Sequence, residues 1–401
     1  MAFRDPLADG EPRQEATAVS AEGATTALAL DRESDARESD VETDAGAGIV
    51  AEPDAAAVVA TRPSRRSTNT VTLDDVARHA RVSPQTVSRS IRTPELVSEF
   101  TLERVRNSIA ATGYVPNLAA SNLASNRSMT VAAIIPAISA SVFADALHGL
   151  EEVLSPAGYQ LFIGSTDYRP GHEEELVRAF LGRRPDGIFI VGTDHSPNAT
   201  HLLRESKVPV VEAWDLSDDP IDSVVGFSNS ESIAALVRFA VERGYRHPTF
   251  AGSFQTGDFR ALARRTSFEE TVAKEFPGEP VRVVDSGTAT VDFETGRRLL
   301  DETLRAHPET DVLMFASDVF AAGAVLECAR RGISVPGDIA ITGFGDFEIG
   351  RHLVPTLTTV AVPNRQIGTV AGELLLARMT HRAVDTAEID LGYSVVARES
   401  A

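Results

Sequence analysis

The chain holds 401 residues, 43% of them hydrophobic, with 58 acidic against 38 basic side chains and a net charge of −20. That length admits two or three domains and an ordinary core, and no apolar run is long enough to span a bilayer. The N-terminus has no basic region followed by an apolar stretch, so a secretory signal is not expected, and one cysteine rules out an intramolecular disulfide.

The charge is divided by region. Residues 1–61 hold four arginines and fourteen acids, a net of −10. Residues 1 to about 65 are rich in Ala, Glu, Asp, Ser, Thr and Gly with no periodic apolar face, and disorder is expected through residue 68. Residues 62–128 carry ten arginines against Asp74, Asp75, Glu95, Glu99 and Glu103, a net of +5, and the remainder carries −15. A small basic module on an acidic body suits phosphate contact, because the body repels non-specific nucleic acid.

The basic module begins with VTLDDVARHARVSPQTVSRSIR, residues 71–92. Thr72 can cap a helix, with Asp75 three residues on and Val71 and Val76 at the staple positions. Leu73, Val76, Ala77 and Ala80 then fall on one face. The pattern repeats with Ser83 as cap, Pro84 at the first helical position, and Val82 and Val87 as staple. In this second helix Val87 and Ile91 are expected inward, leaving Gln85, Thr86, Ser88 and Arg89 outward. Amides, hydroxyls and a guanidinium on an acid-free helix suit base edges in a major groove. A third helix follows, with Ser98 as cap, Leu102, Val105 and Ile109 inward, and Gly113 as terminator. Asn117 can cap a further short helix running to about Ala124, too poor in apolar surface to be stable alone.

This stretch, with VSEFTLERVRNSIAATGYVPNLAASNLAS after it, resembles the DNA-binding headpiece and hinge of the lactose-repressor (LacI) family of bacterial transcription regulators. The resemblance continues through nearly all of the chain after residue 70. It implies a helix-turn-helix headpiece over 69–115 and a hinge helix and linker over 116–128. It implies DNA contacts from Thr72, Ser83, Pro84, Gln85, Thr86, Ser88 and Arg89. Two hinge helices would pair across a dimer axis, with Asn117 and Ala120 in the hinge and Leu123 matching the leucine that wedges into the minor groove.

From Met129 onward the pattern changes to strands alternating with helices of about 12 residues, which predicts parallel sheets covered on both faces. VAAIIPAI, YQLFIGST, DGIFIVG, VPVVEAW and Ser223–Gly226 read as strands. A second series begins at the helix Glu231–Arg243 and continues with HPTFAGS, VRVVDSG, DVLMFAS and IAITGFG. The expected fold is therefore α/β: a small helical headpiece and hinge, then a two-lobed effector domain over 129–401 resembling periplasmic binding proteins. From the resemblance, the N-lobe takes about 129–227 and 357–382, and the C-lobe about 228–356 and 383–401. Cys328 falls in a helical pattern and reads as a small buried apolar residue.

Facing open sheets bind ligands at the carboxyl ends of their strands. Candidate effector contacts are accordingly Phe143, Trp214, Arg260, Arg264, Ser317 and Asp346. Arg264 matches a ligand-contacting arginine of the family, and Asp318 is expected to cap the next helix. Family members often carry two acids after IAITGF; here the first of those places is Gly345. A cleft that loses a carboxylate and keeps its arginines suits an anionic ligand, through charge-assisted pairing. WDLSDDPIDSVVGFSN and GFGDFEIG also resemble the gluconate-utilisation repressor branch, so a sugar acid such as gluconate or 6-phosphogluconate is the implied effector.

The expected partners are thus a palindromic double-stranded operator, a sugar-acid effector and a second copy of the chain, in the cytoplasm at the nucleoid. No cofactor, metal or membrane is expected. A sugar-binding protein without regulation would lack the headpiece, and no HExxH, GxSxG or GxxxxGK[ST] motif points to an enzyme.

Overall fold

The computed structural model describes residues 71–115, 127–138, 141–254, 257–288, 290–383 and 387–401. The expectations of disorder before residue 69, and of hinge roles for Asn117, Ala120 and Leu123, lie outside the described residues.

The headpiece is three helices, α1 (Leu73–Ala80), α2 (Pro84–Arg92) and α3 (Glu99–Thr112). Thr72 caps α1 in a reciprocal box. Its hydroxyl accepts from the Asp75 amide at 3.4 Å while the Asp75 carboxylate accepts from the Thr72 amide at 2.9 Å. The Ser83 hydroxyl accepts from the Thr86 amide at 3.1 Å, with Pro84 opening α2 as expected. Ser98 stands at the start of α3, but its hydroxyl donates to the Thr101 hydroxyl and makes no cap to the helix backbone. Val76, Ala77, Ala80, Val87 and Val105 form the headpiece core, with Leu73, Val82, Ile109 and Tyr114 against it. Ile91, expected inward, is 37% exposed. It lies one turn beyond Val87, and the small core made by α1 and α3 is already closed there.

The remaining strands form two six-stranded sheets. The first holds β1 (Thr130–Ile135), β2 (Gln160–Ser165), β3 (Gly187–Val191), β4 (Val210–Ala213), β5 (Ser223–Gly226) and β11 (Glu388–Asp390), in the order β11-β5-β4-β3-β1-β2, all parallel. The second holds β6 (Pro248–Gly252), β7 (Arg282–Asp285), β8 (Val312–Phe315), β9 (Ala340–Phe344), β10 (Thr358–Ala361) and β12 (Ser394–Val396). Its order is β12-β10-β9-β8-β6-β7, with only β12 antiparallel.

Period-two alternation explains why these strands are apolar throughout. Val131, Ala133 and Ile135 of β1 face one core, and Ala132 and Ile134 face another. The first core is filled by α4 (Ser141–Leu154) and α12 (Asn364–Met379), and the second by α5 (Pro170–Leu181) and α6 (Pro197–Ser206). In the second sheet Phe250 and Met314 face α7 (Asn229–Arg243) and α8 (Phe259–Glu275). Ala251 and Phe315 face α9 (Phe293–Ala306) and α10 (Asp318–Arg331), where Cys328 is buried as expected. The short α11 (Glu348–His352) follows β9. Helices α4 and α12 touch closely through glycines. A Cβ on Gly368 would lie 1.8 Å from the Ala146 carbonyl oxygen, and one on Gly149 would lie 2.2 Å from that of Arg365.

The lobes differ from expectation in two places. Thr358–Ala361, expected in the N-lobe, forms β10, which pairs with β9 in the second sheet. Of residues 383–401, expected in the C-lobe, β11 pairs with β5 in the first sheet, and only β12 returns to the second. The chain therefore crosses between sheets three times, after Phe227, after Ala361 and after Asp390. Among the described residues, no helix is long and apolar enough to cross a membrane.

Candidate functional site

Two surfaces carry candidate function. On the headpiece, α2 has no acid in its first turn and ends in Arg89 and Arg92. Gln85, Arg89 and Arg92 are exposed, and Thr86 and Ser88 are half-buried at its flank. The Ser83 and Thr86 hydroxyls lie 2.8 Å apart, so the cap also orients Thr86. Asp75 is held down to about 2 by the hydroxyl and amide of Thr72 and by Arg78. Its charge thus stays within its own helix start. His79 is exposed, and its Nδ1 meets the Ser108 hydroxyl at 3.0 Å and ties α1 to α3.

The second surface is a cleft of about 650 Å³ between the carboxyl ends of the two sheets. Phe143, Trp214, Arg260, Arg264 and Ser317 all line it, as expected. The helix α8 starts at Phe259, five residues before the expected Arg264, so both arginines lie within its first two turns and project from one face. Asp258 caps this helix, its carboxylate accepting from the Ala261 amide at 3.2 Å and lying 3.6 Å from Arg260 Nε. Arg260 is 9% exposed, its guanidinium 5.8 Å from the Phe143 ring, and its buried Nη1 has no protein partner. Arg264 Nη1 donates to Asn229 Oδ1 at 2.7 Å and its guanidinium lies 4.6 Å from the Phe344 ring, yet its buried Nε is also unpartnered. Burial lowers the Arg264 pKa from the usual guanidinium range, and Asp258 works against that shift.

The apolar wall is equally ordered. Phe143 and Trp214 meet edge to face at 5.1 Å, and Trp214 takes a left-handed backbone, φ +71°, at the end of β4. Asn229 Nδ2 donates to the Trp214 carbonyl at 2.9 Å, so one amide joins the aromatic wall to Arg264. Tyr168, also left-handed at φ +57°, lines the cleft from the first sheet. Burial pushes its phenol up to about 12, with Asp258 adding to the effect. Behind Tyr168 and Arg260 lies a smaller polar recess of about 50 Å³ that includes Glu173, Asp194 and Asp215. Burial raises the Asp215 pKa, opposed by bonds from Leu216 and Asn229. Nearby His195 is buried between Glu173, 2.8 Å from Nδ1, and Glu212, 3.4 Å from Nε2. Burial alone would lower the His195 pKa, but the two carboxylates outweigh it and push it up to about 9.

Two expectations at this cleft fail. Asp346 is not on the wall. Its carboxylate is clamped by Arg351 and Arg398, each at 2.5 Å, while its neighbours Gly345 and Phe347 form the wall instead. Asp318 does not cap α10. Ser317 does, accepting from the Val319 amide at 3.3 Å, and Asp318 is buried behind it. There its carboxylate accepts from the Thr359 hydroxyl at 2.6 Å and the Phe347 amide at 2.7 Å, over Gly343, where any Cβ would lie 2.0 Å from its oxygen. Sequence reasoning also missed Tyr168, Asn229, Asp258 and Phe344. Asp258 was legible as a helix cap, but nothing in the spacing marks Asn229, whose role depends on the chain crossing between sheets.

Comparison with known proteins bears on both surfaces. Residues 72–117 match the model of bacterial regulatory proteins of the lacI family, and residues 237–401 match that of the periplasmic binding protein-like domain. The chain is 33% identical over 336 residues to the HTH-type transcriptional regulator GntR of Pseudomonas aeruginosa, covering 84% of this chain and 97% of that one. It is 32% identical over 326 residues to the HTH-type transcriptional regulator IdnR of Escherichia coli, covering 81% and 97%. A crystal structure of a LacI-family transcriptional regulator from Silicibacter pomeroyi superposes with a TM-score of 0.76 at 34% identity, over 82% of this chain and 99% of that one. The similarity thus runs through both the headpiece and the two-sheet region, over nearly the whole length of these relatives. The chain belongs to the lacI family of bacterial regulatory proteins and is a DNA-binding regulator of transcription.

Proposed function

We propose that this regulator is a homodimeric repressor that reads a palindromic operator through α2 and is controlled by a sugar acid held in the cleft. The observation that carries the effector reading is the pair Arg260 and Arg264. Two guanidiniums on one helix face each keep a buried donor without a protein partner, beside an aromatic wall. Buried donors of this kind are costly unless something pairs with them, and a carboxylate supplies two acceptors at once. The resemblance to gluconate-utilisation repressors and the similarity to GntR and IdnR support the same class, with gluconate and 6-phosphogluconate as first candidates.

On the DNA side, Gln85, Thr86, Ser88 and Arg89 read base edges, and Thr72, Ser83 and Pro84 set the helix starts against the backbone. The hinge residues Asn117, Ala120 and Leu123 complete the contact in the minor groove. The dimer forms along the edge strands β2 and β7, where Phe162 and Ile163 of β2 and Val281, just before β7, are 41%, 47% and 42% exposed. The protein works in the cytoplasm, on the nucleoid. Ligand binding shifts the lobes and changes the spacing of the paired hinges. A coupling of about 1–3 kcal/mol would change operator affinity roughly 5–150-fold. The ligand acts as an inducer, since catabolic control of a sugar acid requires release when the acid is present.

Titration calorimetry with a panel of sugars and sugar acids tests this. Gluconate or 6-phosphogluconate binds and lowers operator affinity in a gel shift at fixed salt. Binding of neutral pentoses or hexoses alone would overturn it.

A further inference from the structure

The charge along the cleft is one-ended. Among the described residues the cationic side chains on its wall are Arg260 and Arg264, both on α8, and they share that wall with the carboxylates of Asp167 and Asp258. Away from α8 and Asp167 the polar wall is neutral: Ser253, Thr288, Thr290 and Ser317 offer hydroxyls, between Val291, Phe293 and Phe320. Several of these hydroxyls are engaged locally. Ser253 donates to the Thr288 carbonyl at 2.5 Å, and Ser317 caps α10.

A helix N-terminus could substitute for a cation at that end, because its free amides and dipole favour anions. Both helices that start there already have an acid. Asp318 stands in the first turn of α10 beneath the Ser317 cap. Asp292 caps α9, accepting from the Thr295 amide at 2.7 Å, and its carboxylate is held below the usual range by that bond. Behind the arginines, the small recess is acidic as well, through Glu173, Asp194 and Asp215.

We infer that the cleft takes a polyhydroxy acid with a single carboxylate and discriminates against the same acid carrying a terminal phosphoryl group. This rests on the sugar-acid reading above and narrows it. The carboxylate pairs with the Arg260 and Arg264 guanidiniums, and the hydroxylated chain runs toward Ser317 and Thr290. A phosphoryl group at the far end of that chain would give up its water without meeting a cation. Leaving such a charge unpaired in a partly closed cleft costs roughly tenfold or more in affinity.

The experiment is calorimetry on the full chain at fixed ionic strength and pH 7.5, with gluconate, 6-phosphogluconate and glucose as probes. Gluconate is expected to bind about tenfold or more tightly than 6-phosphogluconate, with glucose weaker still. Equal or tighter binding of 6-phosphogluconate overturns the discrimination and leaves the sugar-acid reading standing. Binding of glucose with neither acid overturns that reading and this inference together. A gain-of-function variant gives a second measure. Thr290→Arg puts a cation at an exposed position on the neutral wall, and the affinity ratio should shift about tenfold toward 6-phosphogluconate. An unchanged ratio in a folded Thr290→Arg protein would count against the charge argument.

Discussion

Arg264 is held from three sides, by Asn229, by the Phe344 ring and by its own helix, and its buried Nε still has no protein partner. Arg264→Ala should therefore weaken sugar-acid binding by more than tenfold while leaving ligand-free operator affinity unchanged, a split that calorimetry and gel shift read separately. Arg264→Lys should recover little, because a point charge cannot keep the Asn229 bond and present a second donor in the same plane. Asp318 offers a test through pH. Burial raises its pKa to about 7 against the bonds from Thr359 and Phe347. A carboxyl raised on folding binds protons preferentially in the folded state. Its contribution to stability is full below about pH 4 and is lost as pH rises to about 7. Thermal unfolding of Asp318→Asn should thus change less between pH 5 and pH 8 than that of the parent chain. Parallel shifts in the two proteins would mean that this carboxyl does not titrate there. Side chains are also where the sequence was least legible. Phe143 and Trp214 follow from the rule that ligands meet strand ends, and the two arginines from the family resemblance. Asp346 obeys the same rule and fails, because Arg351 and Arg398 draw its carboxylate off the wall, and Arg398 reaches it only through the pairing of the C-terminal segment with the second sheet.

Among the elements, the short headpiece helices depend on their caps. Thr72→Ala removes the hydroxyl half of a reciprocal box, leaving only the Thr72 amide to donate to Asp75, and should cost about 0.5–2 kcal/mol of headpiece stability, followed by denaturation of this region. Arg89 stands on the bare face of α2, so Arg89→Ala should cost about 1–3 kcal/mol of preference for operator over random duplex with ligand binding intact. Equal losses on both duplexes would make Arg89 a phosphate contact instead. The close pairing of α4 and α12 predicts a larger effect. Gly368→Ala forces a methyl group onto the Ala146 carbonyl and should destabilise the fold by about 1–3 kcal/mol or more in urea unfolding. Elements were the most legible level. Caps, staples and apolar periodicity are local, so Thr72, Ser83, Pro84 and the strand series could be read directly. Ile91 was misplaced because periodicity gives a direction and not the extent of the core that direction meets.

For the molecule as a whole, sequence alternation predicted two parallel sheets but not the strand ownership near the C-terminus. A strand's pattern says that it is buried, while the edge it joins depends on where the chain crosses, and here β10 and β11 fall on opposite sides of the expected boundary. The three crossings, after Phe227, Ala361 and Asp390, also bear on how the protein tolerates damage. A cut between Phe227 and Ser228 makes two polypeptides, but the second still threads α12 and β11 into the first sheet's half, where they pack on β1–β5. The nicked protein should therefore elute from gel filtration at the size of the intact one, and come apart into two fragments only in denaturant.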